Sequence, residues 1–299
     1  MTIPVISIIA TAARPENWQR FYDSVGQNDV PFEIVFVGPR PPVHDMPDNF
    51  VYVHSKVKPA QCVEIAARRA SGELLLLAAD DMIFSSPHPL DEVYKIYRET
   101  DDPMAIVSLT CEAVEGWNHF YEFDLETPIV PLSGTMAAQL WRDVGGVDRN
   151  FVSVYFDVDI AMRIFALGGR VVPSNVSVDT DVPMPDVPNS SGTILGGEFT
   201  APDRTRLNEL WTVDGRVHLT RALPFEPLDE RDILVKSQHP RGRWRYNNDF
   251  INKLSVLVTR YKLRQWRSKT AGRLYRFLLR NSPSFITRIL IRLRPGTRY

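Results

Sequence analysis

The sequence predicts an α/β domain, with a mostly parallel sheet flanked by helices and a basic helical extension at its C-terminal end. Three observations carry this. β-rich apolar runs alternate with helix-like segments from about residue 5 to residue 173, the pattern of βα units. One run, Leu74-Leu75-Leu76-Leu77, is apolar at consecutive positions and closes on Ala78-Ala79-Asp80-Asp81, as a strand buried on both faces does where it leaves the sheet. Residues 231–299 hold 18 Lys and Arg against 2 Asp and Glu, a net of +16 in a chain of net −1, so the body before them carries −17. Body and tail therefore have different tasks.

Taken in order, Val5–Ala10 is a first strand. Pro15 suits a helix start, and Trp18, Phe21, Tyr22 and Val25 recur at helical spacing. Phe32–Val37 is a second strand running into Gly38-Pro39-Arg40-Pro41-Pro42, which cannot continue a ladder, and Val51–His54 is a third. Pro59–Ala70 reads as an Ala-rich helix stopped by Ser71-Gly72 ahead of the leucine strand. Pro87–Thr100 is a helix and Ala105–Leu109 a strand. The alternation then breaks at the acidic, aromatic segment 111–131, with Trp117, His119, Phe120, Tyr121 and Phe123 suited to a binding wall or to a core. Ser133–Asp143 is expected as a short helix, Val144–Asp148 as a glycine turn, Phe156–Leu167 as a helix and Arg170–Pro173 as a strand.

At 299 residues, 44% hydrophobic and 24% charged, the chain is ordinary globular material. Its two cysteines, Cys62 and Cys111, lack metal-ligand spacing and read as reduced thiols. No apolar run approaches the roughly 18–20 residues that span a bilayer. The opening residues lack a basic stretch ahead of their apolar run, so the expectation is a cytoplasmic protein.

Ligands of open α/β sheets bind at the carboxyl edge, so Asp80 and Asp81 are placed to hold a metal ion and a nucleotide phosphate. Their bland role is to solvate the strand end or cap a turn. Asp157 opens a helix, where the dipole favours its charge, and it is a candidate base or a plain helix-stabilising acid. Asp159 is spaced to pair with Arg163.

The order of these pieces resembles the GT-A fold of family 2 glycosyltransferases, inverting enzymes that move a sugar from a nucleotide to an acceptor. The matching pieces are Thr11-Ala12-Ala13-Arg14-Pro15, Ala67-Arg68-Arg69-Ala70-Ser71-Gly72-Glu73, Asp80-Asp81, Leu132-Ser133-Gly134-Thr135, Val144-Gly145-Gly146-Val147-Asp148 and Asp157–Arg163, across roughly residues 3–180. The resemblance implies a Rossmann-like GT-A domain over residues 1–220, with a nucleotide half (1–100) and an acceptor half (101–220), ahead of a tail over 221–299. It implies a nucleotide-sugar donor, UDP-sugar favoured, a glycan or lipid-linked acceptor, and Mn²⁺ or Mg²⁺ as the cation. Asp80 is the implied metal ligand, joined by Asp179 or Asp181 where the family has a His. Asp157 is the implied general base. Thr11, Ala12, Arg14, Arg40, Arg68 and Asp81 are the implied nucleotide contacts, with Asp81 on the ribose or behind the metal, and Arg40 and Arg68 on phosphate. The chain departs from the family at Gly38-Pro39-Arg40, where Asp-Asp-Gly-Ser is common, at Ala78 in the acid cluster, and at Phe156, where an acid is common. Alternatives are a non-catalytic nucleotide- or glycan-binding relative and a nucleotidyltransferase.

Residues 183–230 are rich in proline and read as an extended excursion able to form a lid. From about residue 247, apolar residues including Trp266 share helices with Lys and Arg, the composition of helices lying in an anionic membrane interface. Each basic residue there adds about 1 kcal/mol. The expected partner of residues 247–299 is therefore an anionic membrane surface, making the protein peripherally membrane-associated. Nucleic-acid binding, which is not expected, packing on the acidic body, and homo-oligomerisation through the apolar faces are the competing roles.

Overall fold

A computed structural model describes residues 3–111, 120–122, 129–131, 133–179, 200–214 and 216–229. Met1–Gln238 forms one compact unit; the second, His239–Tyr299, lies outside the described residues, as do Trp117, His119, Phe123, Asp181 and the tail helices expected from residue 247.

The chain runs β1 (Ile6–Thr11), a 3-10 turn (Pro15–Asn17), α1 (Trp18–Val25), β2 (Phe32–Gly38), β3 (Phe50–His54), α2 (Pro59–Arg69), β4 (Leu74–Leu77), β5 (Ile83–Phe84), α3 (Pro89–Thr100) and β6 (Ala105–Cys111). It continues through β7 (Phe120–Glu122), β8 (Ile129–Pro131), β9 (Gly134–Ala137), α4 (Ala138–Asp143), α5 (Phe156–Ala166), β10 (Arg170–Asp179), α6 (Thr200–Trp211), β11 (Thr212–Val213) and β12 (Arg216–Val217). The main sheet has eight strands in the order β3-β2-β1-β4-β9-β6-β10-β5. β3, β2, β1 and β4 are mutually parallel and β10 is parallel to β6, whereas β9 is antiparallel to both of its neighbours and β5 to β10. The expected α/β class, a mostly parallel sheet with helices on both faces, is the observed one.

The leucine strand shows why. Leu74 and Leu76 enter the apolar cluster under α1 and α3, while Leu75 and Leu77 enter the one under α2, α4 and α5, and all four are buried. At roughly 1.5–3 kcal/mol for each buried leucine side chain, a polar residue anywhere in the run is strongly disfavoured. On the first face, Trp18, Phe21 and Val25 share one side of α1, and Trp18 meets Phe36 edge-on with centroids 5.6 Å apart.

Two expectations are corrected. Ser133–Asp143 is not all helix: Gly134–Ala137 is the strand β9, inserted between β4 and β6 with Leu75 opposite Met136, and α4 begins only at Ala138. The stretch after residue 183 is not wholly an excursion, because α6 contributes Leu207, Leu210 and Trp211 to the core beside α5, and Leu228 follows them in. No helix among the described residues is long and apolar enough to cross a membrane.

Candidate active site

The loop after β1 and the end of β4 meet at the carboxyl edge of the sheet, and their meeting point is Arg14. Asp80 Oδ2 accepts the backbone N–H groups of Ala13 and Arg14 at 2.8 and 2.7 Å, and Oδ1 accepts Arg14 Nε and Nη2 at 3.0 and 2.6 Å. Asp81 Oδ2 lies 2.7 Å from Arg14 Nη1. The three residues are only 8, 3 and 5% exposed in the order Arg14, Asp80, Asp81. Burial works against the Arg14 charge, but the two carboxylates outweigh it and hold its pKa above the ordinary arginine value. Gly38 makes this approach of strands achievable, since a Cβ there would stand 1.6 Å from the Ala12 carbonyl oxygen.

An ionised carboxylate offers about four lone-pair positions, and four donors already point at Asp80. In this arrangement those donors take up the Asp80 oxygens, so a cation there would have to displace Arg14. Asp179 ends β10 opposite Ile83 and stands 3.5 Å from Ser85 Oγ. Among the described residues, no group of three or more His, Cys, Asp or Glu is arranged to hold a metal.

The remaining expected nucleotide contacts divide by position. Thr11 ends β1 opposite Val37, and Ala12 is buried and donates its N–H to the Val37 carbonyl at 2.9 Å, so both lie at the same edge as the acid pair. Arg40 follows β2 at that edge and pairs with Glu16, its Nη1 3.2 Å from Oε2. Arg68 is brought elsewhere. It lies in the last turn of α2, next to where β4 begins, and bonds Glu64 and the Leu228 carbonyl, each at 2.8 Å. Arg68 thus lies at the opposite edge of the sheet from Thr11, Ala12, Arg14 and Arg40.

Asp157 stands in the first turn of α5, after Tyr155 at φ +63°. A cleft there is lined by Leu77, Ile106, Met136, Trp141, Ile160 and Asp157. Leu77 is the last residue of β4, so Asp157 and the acid pair flank the end of one strand. The helix start was expected to favour the charged carboxylate. Burial against these apolar neighbours wins instead and pushes Asp157 up to about 7, while the amides of Val158 and Asp157 pull it down.

Behind the site lies a buried polar network. Glu64, on the inner face of α2, accepts Trp141 Nε1 and the Val147 N–H, both at 3.1 Å, and the Cβ of any residue replacing Gly146 (φ +71°) would lie 2.2 Å from Glu64 Oε2. Asp159 pairs with Arg163 at 3.1 Å, as its spacing implies, and also accepts Trp211 Nε1 at 2.9 Å and Arg221 Nε at 3.2 Å. Arg221 also pairs with the fully buried Asp148, while Phe225 stacks on Arg163 at 4.5 Å and covers Gly145. The glycine turn is therefore packed from both sides.

Sequence reasoning missed Glu64, Asp203, Trp211 and Arg221, and read Asp148 only as the last residue of the glycine turn. Glu64 had a signal, an acid sharing a helical face with Ala60 and Ala67. Asp203 and Arg221 had none.

No family model matches the chain, and no curated protein matches it. Among solved structures it is similar to S. aureus TarS 1–349, with a TM-score of 0.46 and 14% identity over 58% of this chain and 59% of that one. The same protein in complex with UDP gives 0.47 and 15% over 59% and 60%. Mannosyltransferase PcManGT from Pyrobaculum calidifontis, in complex with GDP-Man and Mn²⁺, gives 0.46 and 17% over 62% and 59%. The chain thus spans about three-fifths of each of these structures.

Proposed function

We propose that this chain is an inverting glycosyltransferase that moves a sugar from a nucleotide-sugar, UDP-sugar favoured, to a hydroxyl of a glycan or lipid-linked acceptor. The observation that carries the reading is the placement of Asp157, in the first turn of α5 beside the end of the acid-bearing strand and lining an apolar cleft; that setting pushes its carboxyl up to about 7. A general base works best when its pKa lies near the operating pH. The acceptor O–H gives its proton to the Asp157 carboxylate as its oxygen bonds the anomeric carbon. The bond from that carbon to the diphosphate oxygen breaks, and the nucleoside diphosphate leaves with the electron pair from the face opposite attack.

On this reading the nucleotide lies on the loop of Thr11, Ala12 and Arg14. The Asp80–Asp81 clamp holds that loop, Asp81 borders the ribose, and Arg40 meets phosphate. Residues 247–299 bring the protein to an anionic membrane surface. The resemblance supplies the reaction class; the placement of the loop, the acids and Asp157 at one edge supports it.

The test is release of nucleoside diphosphate across a donor panel, with Mn²⁺, Mg²⁺ or chelator, for wild type and Asp157→Asn. The expected outcome is turnover with one donor class and at least a 10²-fold loss in the variant, the scale of general-base catalysis, with donor binding kept. Equal turnover in the variant overturns Asp157 as base. Pyrophosphate release identifies a nucleotidyltransferase instead. The saturation of Asp80 by Arg14 favours one second reading, a nucleotide-binding protein without turnover, and binding of a donor with no release in any arm selects it.

A further inference from the structure

Asp203 is a buried carboxylate that the proposed reaction does not use. It is 1% exposed and sits in the first turn of α6. Its two oxygens accept three successive backbone N–H groups: Val152 at 3.0 Å, Ser153 at 2.7 Å and Val154 at 2.9 Å. A carboxylate receiving several amides is a strong, directional anchor. The anchored segment runs through Tyr155 into α5, so Asp203 fixes the residues just ahead of Asp157.

Other contacts close the arrangement. The Val152 carbonyl accepts the Ala60 N–H of α2 at 3.1 Å, so the same segment is held from a second helix. At the far end of α6, Trp211 Nε1 bonds Asp159, two residues beyond Asp157. α6 therefore grips the chain on both sides of Asp157. Tyr155 needs such a grip, because a non-glycine residue in the left-handed region costs of order 1–3 kcal/mol and persists only where its surroundings over-determine it.

We propose that Asp203 is a positioning residue for Asp157, and that α6 is thereby part of the active centre rather than only a cover for the core. This rests on the reading of Asp157 as the general base. A carboxylate at the mouth of an apolar cleft acts only while the loop before it keeps both its aim and its dryness, and a displacement of about 1 Å in such a group can lower turnover about 10²-fold.

The test uses the full chain carrying Asp203→Asn or Asp203→Glu. Turnover, KM for the donor, and the titration of Asp157 by carboxyl carbon NMR are measured beside circular dichroism. Asn replaces one acceptor oxygen with a donor facing amides, whereas Glu keeps the charge and moves the carboxylate by one methylene. For Asp203→Asn the expected result is a fall in kcat of about 10- to 100-fold, with donor KM within about threefold and the fold retained. The Asp157 midpoint shifts from about 7 towards the ordinary carboxylate range as water reaches the cleft. Asp203→Glu shows smaller changes in the same direction, and it carries the test if the Asn variant does not fold.

Wild-type kcat and midpoint in the folded variant overturn the proposal, as does a loss of activity that only tracks the fraction folded. If Asp157→Asn keeps full turnover, the general-base reading is what fails. The NMR midpoint then decides the Asp203 proposal by itself, since it reports the surroundings of Asp157 whether or not that group takes a proton from an acceptor.

Discussion

Asp157 sits where two local effects oppose each other, the amides at the start of α5 favouring its charge and the apolar cleft disfavouring it. Because burial wins, the folded protein binds this proton up to about pH 7, whereas an unfolded chain releases it near the ordinary value of 3.8. Between those values the folded state holds more protons than the unfolded one, so stability falls as pH rises across the window and levels off above it. Asn in place of Asp removes the charge from the apolar cleft. Asp157→Asn is therefore expected to raise Tm at pH 8 by more than it does at pH 4, and a difference that is the same at both pH values contradicts the burial. Activity runs the other way, since the base must be ionised to accept a proton: kcat/KM should rise through about pH 7. Arg14 presents the reverse balance. Its burial is answered by two partners, and a charge so paired resists removal, because deleting one member leaves the others buried and uncompensated.

The strands place the site, and close contacts at their ends fix it. Gly38 is the clearest case: a Cβ would overlap the Ala12 carbonyl, so the ends of β1 and β2 would have to separate and carry Arg14 away from Asp80. Gly38→Ala is expected to destabilise the domain by about 3 kcal/mol or more, as overpacking against backbone does, measured by urea denaturation. A loss under about 1 kcal/mol would mean that the two ends are not held together. Most elements were legible because their burial is simple: Leu74–Leu77 is apolar on both faces and α1 shows its stripe plainly. β9 was not, because it passes into α4 with no turn between them and the helical spacing of Ala137, Leu140, Trp141 and Val144 masks four strand residues. α6 was hidden by Pro202 and its charged residues, although Leu207, Leu210 and Trp211 are spaced as one face. The candidate site was legible as an edge: Thr11, Arg14, Asp80 and Asp81 meet at the carboxyl ends of β1 and β4, and Asp157 shares a cleft with Leu77 at the end of β4. That Arg14 would fill Asp80 was not legible, since the partners are 66 residues apart and each is also at home in a metal site.

At the scale of the whole chain, charge is divided between an acidic body and a basic tail. Removing residues 239–299 cuts at the boundary of the compact unit and leaves a body of strongly negative charge. Full-length protein is expected to sediment with anionic liposomes at low salt and to be released as salt rises, while the truncated protein stays in the supernatant; equal sedimentation of both would rule the tail out as the anchor. The internal sheet has a different asymmetry. β4 is bounded on one side by β1, made early, and on the other by β9, made about sixty residues later. A chain emerging from the ribosome can assemble β1 to β4 well before residue 134 appears, and through that interval the free edge of four leucines is an open template for another molecule. That edge closes only when β9 pairs with β4, with Leu75 opposite Met136.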